Sequence, residues 1–116
     1  MSSVIPLDGG EDNANQSFTA QLGDYYLKFE LHYQQSGQWL MNILPVGDTE
    51  LTTFDINDKT YLCAPVMLEG GCDIIEEYNL TDTLGQLFIV GDEPTLDNLG
   101  SSNQLIWYPA NEALSF

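Results

Sequence analysis

The sequence predicts an all-β fold, a small antiparallel β-sandwich or barrel with short turns. Three observations carry that reading. Apolar and polar residues alternate strictly from Tyr25 to Tyr33; turn residues recur at short, regular intervals; and only Cys72–Leu80 has a pattern that would suit even a brief helical turn. In the alternating run Tyr25, Leu27, Phe29, Leu31 and Tyr33 share one face, while Tyr26, Lys28, Glu30 and His32 share the other. Successive side chains of a strand point to opposite faces, so this is a strand with one buried side. Upstream, Phe18, Ala20 and Leu22 alternate with Ser17, Thr19 and Gln21, and Gly23-Asp24 separates the two runs. Glycine at the first position of a two-residue loop suits a type II′ turn, so residues 16–33 read as a β-hairpin.

The later strands follow from the same chemistry. Gln34-Gln35-Ser36-Gly37-Gln38 is a polar turn, and Trp39, Met41 and Ile43 then share a face of the next strand. Pro45-Val46-Gly47-Asp48 ends that strand, because proline cannot donate to a ladder. Short apolar runs follow at Leu51–Phe54, Tyr61–Leu68, Leu87–Val90 and Gln104–Tyr108, with Gly-, Asn-, Asp- and Pro-containing turns between them. Residues 1–15 read as a flexible N-terminal arm and residues 16–116 as a single domain. Within the arm, Asp8–Asn15 contains no apolar residue larger than Ala14, so it would act as a link to the apolar tripeptide Ile5-Pro6-Leu7. That tripeptide would either fold back on its own domain or dock on a neighbour.

Composition narrows the function classes. Two basic and eighteen acidic residues give 2 − 18 = −16, although charged residues are only 17% of the chain. The imbalance therefore reflects missing Lys and Arg rather than abundant acids. A direct nucleic-acid binder is not expected, since Lys28 and Lys59 are the only cations available for phosphates. With 43% hydrophobic residues there is enough apolar material for a core, yet no run approaches the ~20 residues of a membrane helix. The N-terminus lacks the basic start and apolar stretch of a secretory signal, which leads us to expect a product retained in the cell that makes it.

The search for chemistry finds little. His32 is the only histidine and lies on a polar strand face, with no glycine-framed serine nearby, so a catalytic triad has no support. Cys63 and Cys72 lack the paired spacing of a zinc site and read as small buried hydrophobes. Most aspartates fall in turns, where the side chain bonds nearby backbone N–H groups. Glu30 and the Glu76-Glu77 pair are the exceptions weighed as catalytic carboxylates, without an enclosed site to tune them. The loops around Asp55 and Asp92 offer oxygen ligands but complete no EF-hand, and no phosphate-binding glycine motif is present. No cofactor and no metal are expected, and the chain reads as a non-enzyme. What remains is apolar surface. If Ile106 and Tyr108 point inward, Leu105 and Trp107 point outward, and Leu40 opposes the buried Trp39 face. Leu40 and Trp107, with Ile5 and Leu7 of the arm, are therefore the expected partner contacts, because large apolar anchors concentrate at interface centres.

The order of features adds a family likeness. Ile5-Pro6-Leu7 is followed by Gln16-x-Phe18 and by Leu22-Gly23 leading to Tyr25-Tyr26. Gly37-x-Trp39-x-Met41-x-Ile43 comes next, then Leu84-Gly85-x-Leu87-x-Ile89 and Leu99-Gly100 before Leu105-Ile106-x-Tyr108. From Ile5 to Tyr108 this order resembles the plug proteins of contractile-tail phage baseplates, typified by a cyanophage baseplate plug. The likeness implies a non-catalytic virion component at the tail tip, made in the host cytoplasm. Its implied partners are baseplate hub, spike and tail-tube proteins, with a homo-oligomer, taken as three-fold, around the tail axis. The acidic segment Asp8–Asn15 and the region Glu69–Thr83 depart from the family pattern. Two other classes remain open on the residues alone. An acidic DNA mimic would need carboxylates in rows at phosphate-like spacing, and a carbohydrate-binding module would need Trp107 and Tyr26 coplanar on one face.

Overall fold

In chain order the strands are β1 (Ser3–Ile5), β2 (Asn15–Leu22), β3 (Tyr25–Tyr33), β4 (Trp39–Pro45), β5 (Phe54–Ile56), β6 (Lys59–Tyr61), β7 (Cys63–Met67), β8 (Gly85–Gly91) and β9 (Asn103–Pro109). The computed structural model describes residues 3–23, 25–47, 51, 53–78, 80 and 82–110. Several positions read from the sequence lie outside these: Met1 and Ser2, Asp24 and Asp48 in their turns, Thr52 in the Leu51–Phe54 run, Asn79 in Cys72–Leu80, and 111–116 of the domain. One antiparallel sheet has the order β2-β3-β4-β7 and a second the order β1-β9-β8, with β5-β6 as a separate two-stranded ribbon. The two larger sheets share one apolar core, so the architecture is all-β and sandwich-like.

The hairpin read from residues 16–33 forms as β2 and β3. Leu22 pairs with Tyr25, which leaves a two-residue loop, and Gly23 takes φ 64° at its first position. Leu27, Phe29 and Leu31 of β3 and Trp39, Met41 and Ile43 of β4 are buried, as the alternation requires. The predicted Tyr61–Leu68 run is divided: β6 ends at Tyr61 and β7 starts at Cys63, while the Leu62 N–H donates to the Ile43 carbonyl at 2.7 Å. Between β5 and β6, Asn57 and Asp58 hold φ 51° and 66°, the paired positive values of a tight hairpin loop. Glu76–Tyr78 forms a short 3₁₀ turn inside the segment that suited a helical turn.

Of the two courses open to the Ile5-Pro6-Leu7 tripeptide, the structure has it folded back on its own domain. Ser3–Ile5 pairs antiparallel with β9, Val4 opposite Ile106, and Ile5 and Leu7 are buried. The acidic link is held too: the Gly10 N–H donates to the Leu96 carbonyl, Gln16 Nε2 donates to the Asp8 carbonyl, and Glu11–Asn13 makes a 3₁₀ turn. The cause is packing. Gly100, at φ 83°, has no Cβ and so admits the Leu7 carbonyl, which any other side chain would obstruct. This close approach seats the tripeptide against its own domain.

Strand β9 reverses the expected facing. Leu105 and Trp107 are buried, whereas Ile106 and Tyr108 lie on the outer face. The Trp107 indole sits between the sheets, and its Nε1–H donates to the Leu84 carbonyl at 3.0 Å. Trp39 is anchored in the same manner, donating to the Thr95 carbonyl at 2.8 Å and meeting Tyr33 edge-on. A buried indole N–H needs an acceptor, and both tryptophans reach one.

Candidate functional site

Three places on the molecule concentrate side chains capable of function, and the strand register positions each. The first is the outer face of the four-stranded sheet. Register aligns Asn15 with His32 and Leu40, and Ser17 with Glu30 and Asn42, around a shallow depression of about 520 Å³. His32 Nδ1 is hydrogen-bonded to the Asn15 amide oxygen. Glu30 lies 3.7 Å from the Lys28 ammonium and 3.6 Å from that of Lys59, so both basic side chains of the sequence engage one carboxylate. Among the described residues no hydrogen bond joins Ser17 to His32, and neither group is arranged to activate the other as a nucleophile requires. Leu40 is half-buried here, beside Met67 of β7. It is the one expected partner contact that the fold leaves at the surface.

The other expected contacts are corrected by burial. Ile5 is 3% exposed, Leu7 8% and Trp107 6%, so all three belong to the chain's own core. Tyr26, by contrast, is 60% exposed on the opposite sheet from Trp107, and the two rings form no common platform for a sugar.

The second place is the strap at 69–75, which covers the free edge of β8. The Ile74 N–H donates to the Leu87 carbonyl at 2.9 Å, and Gly70 makes a parallel bridge to Ile89. Asp73 completes the seam, its Oδ1 accepting from the N–H groups of Leu87 (3.1 Å) and Ile75 (3.2 Å). Its Oδ2 is buried with no hydrogen-bond partner among the described residues. Burial pushes the Asp73 carboxyl above the usual aspartate range and the neighbouring Glu76 charge adds to this, against the opposing pull of the two N–H donors. Nearby, burial drives the Cys63 thiol up to about 12, with the charges of Asp73 and Glu77 contributing. A thiol held that high supplies no thiolate at neutral pH and makes no nucleophile. Cys72 departs from the buried reading, being partly exposed with its thiol donating to Glu69 Oε1 at 3.5 Å. Tyr78 pins the same region to β7, donating from its hydroxyl to the Pro65 carbonyl and accepting from the Ala64 N–H. The roles of Asp73 and Tyr78 leave no periodic trace in the sequence.

The third place is the outer face of the three-stranded sheet. Val4 pairs with Ile106 and Ile106 with Phe88, which sets three apolar side chains in a row across β1, β9 and β8. Tyr108 meets Phe88 edge-on at 5.6 Å between ring centroids. Beside them a groove of about 620 Å³ runs between β8 and the strap, with Gly70 and Gly71 on one wall and Glu93 at its margin. Sequence reading missed this face. The available signal was the run of apolar residues with no polar alternate in Leu87-Phe88-Ile89-Val90 and Leu105-Ile106-Trp107-Tyr108, which marks a sheet apolar on both sides.

Among the described residues no group of three or more His, Cys, Asp or Glu side chains is placed to hold a metal ion, and no helix is long and apolar enough to cross a membrane. Of the described acids only Glu30 and Asp55 lie on strands, so no strand carries the row of carboxylates that a DNA mimic needs. Residues 3–110 match the model of a family described as "Cyanophage baseplate Pam3 plug gp18". No curated protein matches the chain.

Proposed function

This chain belongs to the cyanophage baseplate plug family, and from that premise we propose that it is a non-catalytic structural part of a phage tail tip. In this reading it sits in the baseplate of the virion after synthesis in the host cytoplasm, and it assembles with hub, spike and tail-tube proteins. Copies of the chain surround the tail axis, with three-fold symmetry. The observation that carries the reading is the family match over residues 3–110, nearly the whole chain. The chemistry of the surfaces agrees with it. His32 and Glu30 are committed to Asn15 and to the two lysines, and the thiol of Cys63 is held far above neutral pH.

The net charge of −16 gives the part a physical role. Summed like charges create potentials of several kT over a surface, so the chain repels a passing DNA duplex rather than gripping it. Leu40, half-buried on the four-stranded sheet, is a contact within the assembly.

The test is peptide mass spectrometry of gradient-purified virions, followed by localisation of the chain in tails by cryo-electron microscopy. Density at the tail tip is the expected result, and it also reports the symmetry. Absence from virions, with abundant protein in infected cells, would refute the reading and favour an inhibitor acting on a host enzyme. Tight binding to duplex DNA at moderate salt would refute the role given to the charge.

A further inference from the structure

We infer that the free edge of β2 takes an extended segment of another baseplate protein as an added strand, so that the four-stranded sheet is continued from outside the chain. The inference rests on the structural reading above and names the contact surface and the kind of partner it fits.

A sheet edge carries a row of unpaired backbone N–H and C=O groups, and proteins blunt it with short strands, proline, charge or a covering segment. The other edges of this molecule are blunted in these ways. β1, β5 and β6 have three residues each, and β1 runs into Pro6. The strap covers β8 through the Ile74 N–H and the bridge at Gly70. β7 contains Pro65, and the Tyr78 hydroxyl engages the Ala64 N–H and the Pro65 carbonyl. Among the described residues β2 alone lacks such a device. It runs for eight residues in unbroken register with β3 and contains no proline and no charged residue.

The ladder fixes which of its groups are open. The Tyr33 N–H donates to the Ala14 carbonyl, and bonded pairs alternate along an antiparallel ladder. Gln16, Phe18, Ala20 and Leu22 therefore turn their backbone groups toward β3. Those of Ser17, Thr19 and Gln21 point away from the sheet and find no backbone partner among the described residues. A groove of about 420 Å³ follows this edge, lined by Pro6, Asp8 and Asn13 and by residues 16–20. A strand seated in it pairs with Ser17–Gln21 and turns alternate side chains toward Phe18 and Ala20, which the fold leaves half-buried. The segment that fits is extended, with apolar residues at alternate positions.

The edges also identify the source of that segment. A second copy reaches β2 either through its own β2, about a two-fold axis, or through a different open edge repeated around a ring. The blunted edges exclude the second route among the described residues. Copies turned about one tail axis with three-fold symmetry have no two-fold between them, which excludes the first. The occupant is therefore a strand of a different protein.

The experiment produces virions with Ser17→Pro or Thr19→Pro as the only copy of the chain and measures its amount per tail by quantitative mass spectrometry. Proline at these positions removes an N–H that bonds nothing within the described chain, so the ladder to β3 stays whole. Melting curves of the purified variants verify folding, and Thr19→Ser, which keeps the N–H, is the control. Incorporation should fall about ten-fold for both proline variants and stay near wild type for Thr19→Ser, as expected when a backbone bond is lost and its acceptor is left unpaired. Normal incorporation of the folded proline variants would overturn the inference. Hydrogen exchange on the isolated wild-type chain is independent of any variant. The Ser17 and Thr19 amides should exchange fast and those of Phe18 and Ala20 slowly. Protection of Ser17 and Thr19 in a monomer would mean that the chain's own residues cover the edge, and a dimer that Thr19→Pro dissociates would mean that a second copy does; either result overturns the inference. Wild-type chain missing from virions would overturn the structural reading as well, and that failure appears in the wild-type sample alone.

Discussion

Asp73 is the residue whose replacement tests the link between the strap and the sheet most directly. It is 9% exposed, and its Oδ1 is the acceptor for both the Leu87 and Ile75 N–H groups. Asp73→Ala leaves two buried donors without partners, each worth about 1–3 kcal/mol, so the loss is about 2 kcal/mol or more. Asp73→Asn keeps an acceptor at Oδ1 and removes the buried charge. The carboxyl titrates above its unfolded value, so the stability linked to it is complete below about pH 4 and is lost as pH rises through the folded value. The stability of wild type relative to Asp73→Asn therefore falls as pH rises through that window. Urea unfolding of the three proteins across a pH series reads all of this. An Asp73→Ala protein within about 0.5 kcal/mol of wild type, the range of an ordinary surface change, would refute the role of the seam. Wild type gaining on Asp73→Asn as pH rises would refute the assigned direction of the shift.

Three other outcomes follow from the same geometry. Trp107→Ala should cost about 3–5 kcal/mol in urea unfolding, the range for truncating a large aromatic in a core, whereas a surface contact would leave the isolated chain nearly unchanged. With thiol reagents at pH 8, one cysteine per native chain should react, slowly, at Cys72, whose thiol is also raised by burial and the Glu69 hydrogen bond; Cys63 should label only after unfolding. Equal labelling of both in the native protein would contradict the burial of Cys63. Adding NaCl from low to moderate concentration should raise the melting temperature, because screening relieves the self-repulsion of a −16 chain; a fall would contradict it.

The strands whose two faces differ were legible from the sequence, and those whose faces are alike were not. Between Tyr25 and Tyr33 the polar alternates Lys28, Glu30 and His32 leave one choice of buried side, and the structure adopts it. In β9 both choices are apolar, Leu105 with Trp107 or Ile106 with Tyr108, so period-2 alternation locates the strand without orienting it. What decides is remote: the Leu84 carbonyl awaits the Trp107 indole N–H from 23 residues away. Which of its two courses the arm takes was open in the sequence for a related reason. Three residues of strand and a proline carry no period of their own, and their order comes from β9 and from the missing Cβ of Gly100.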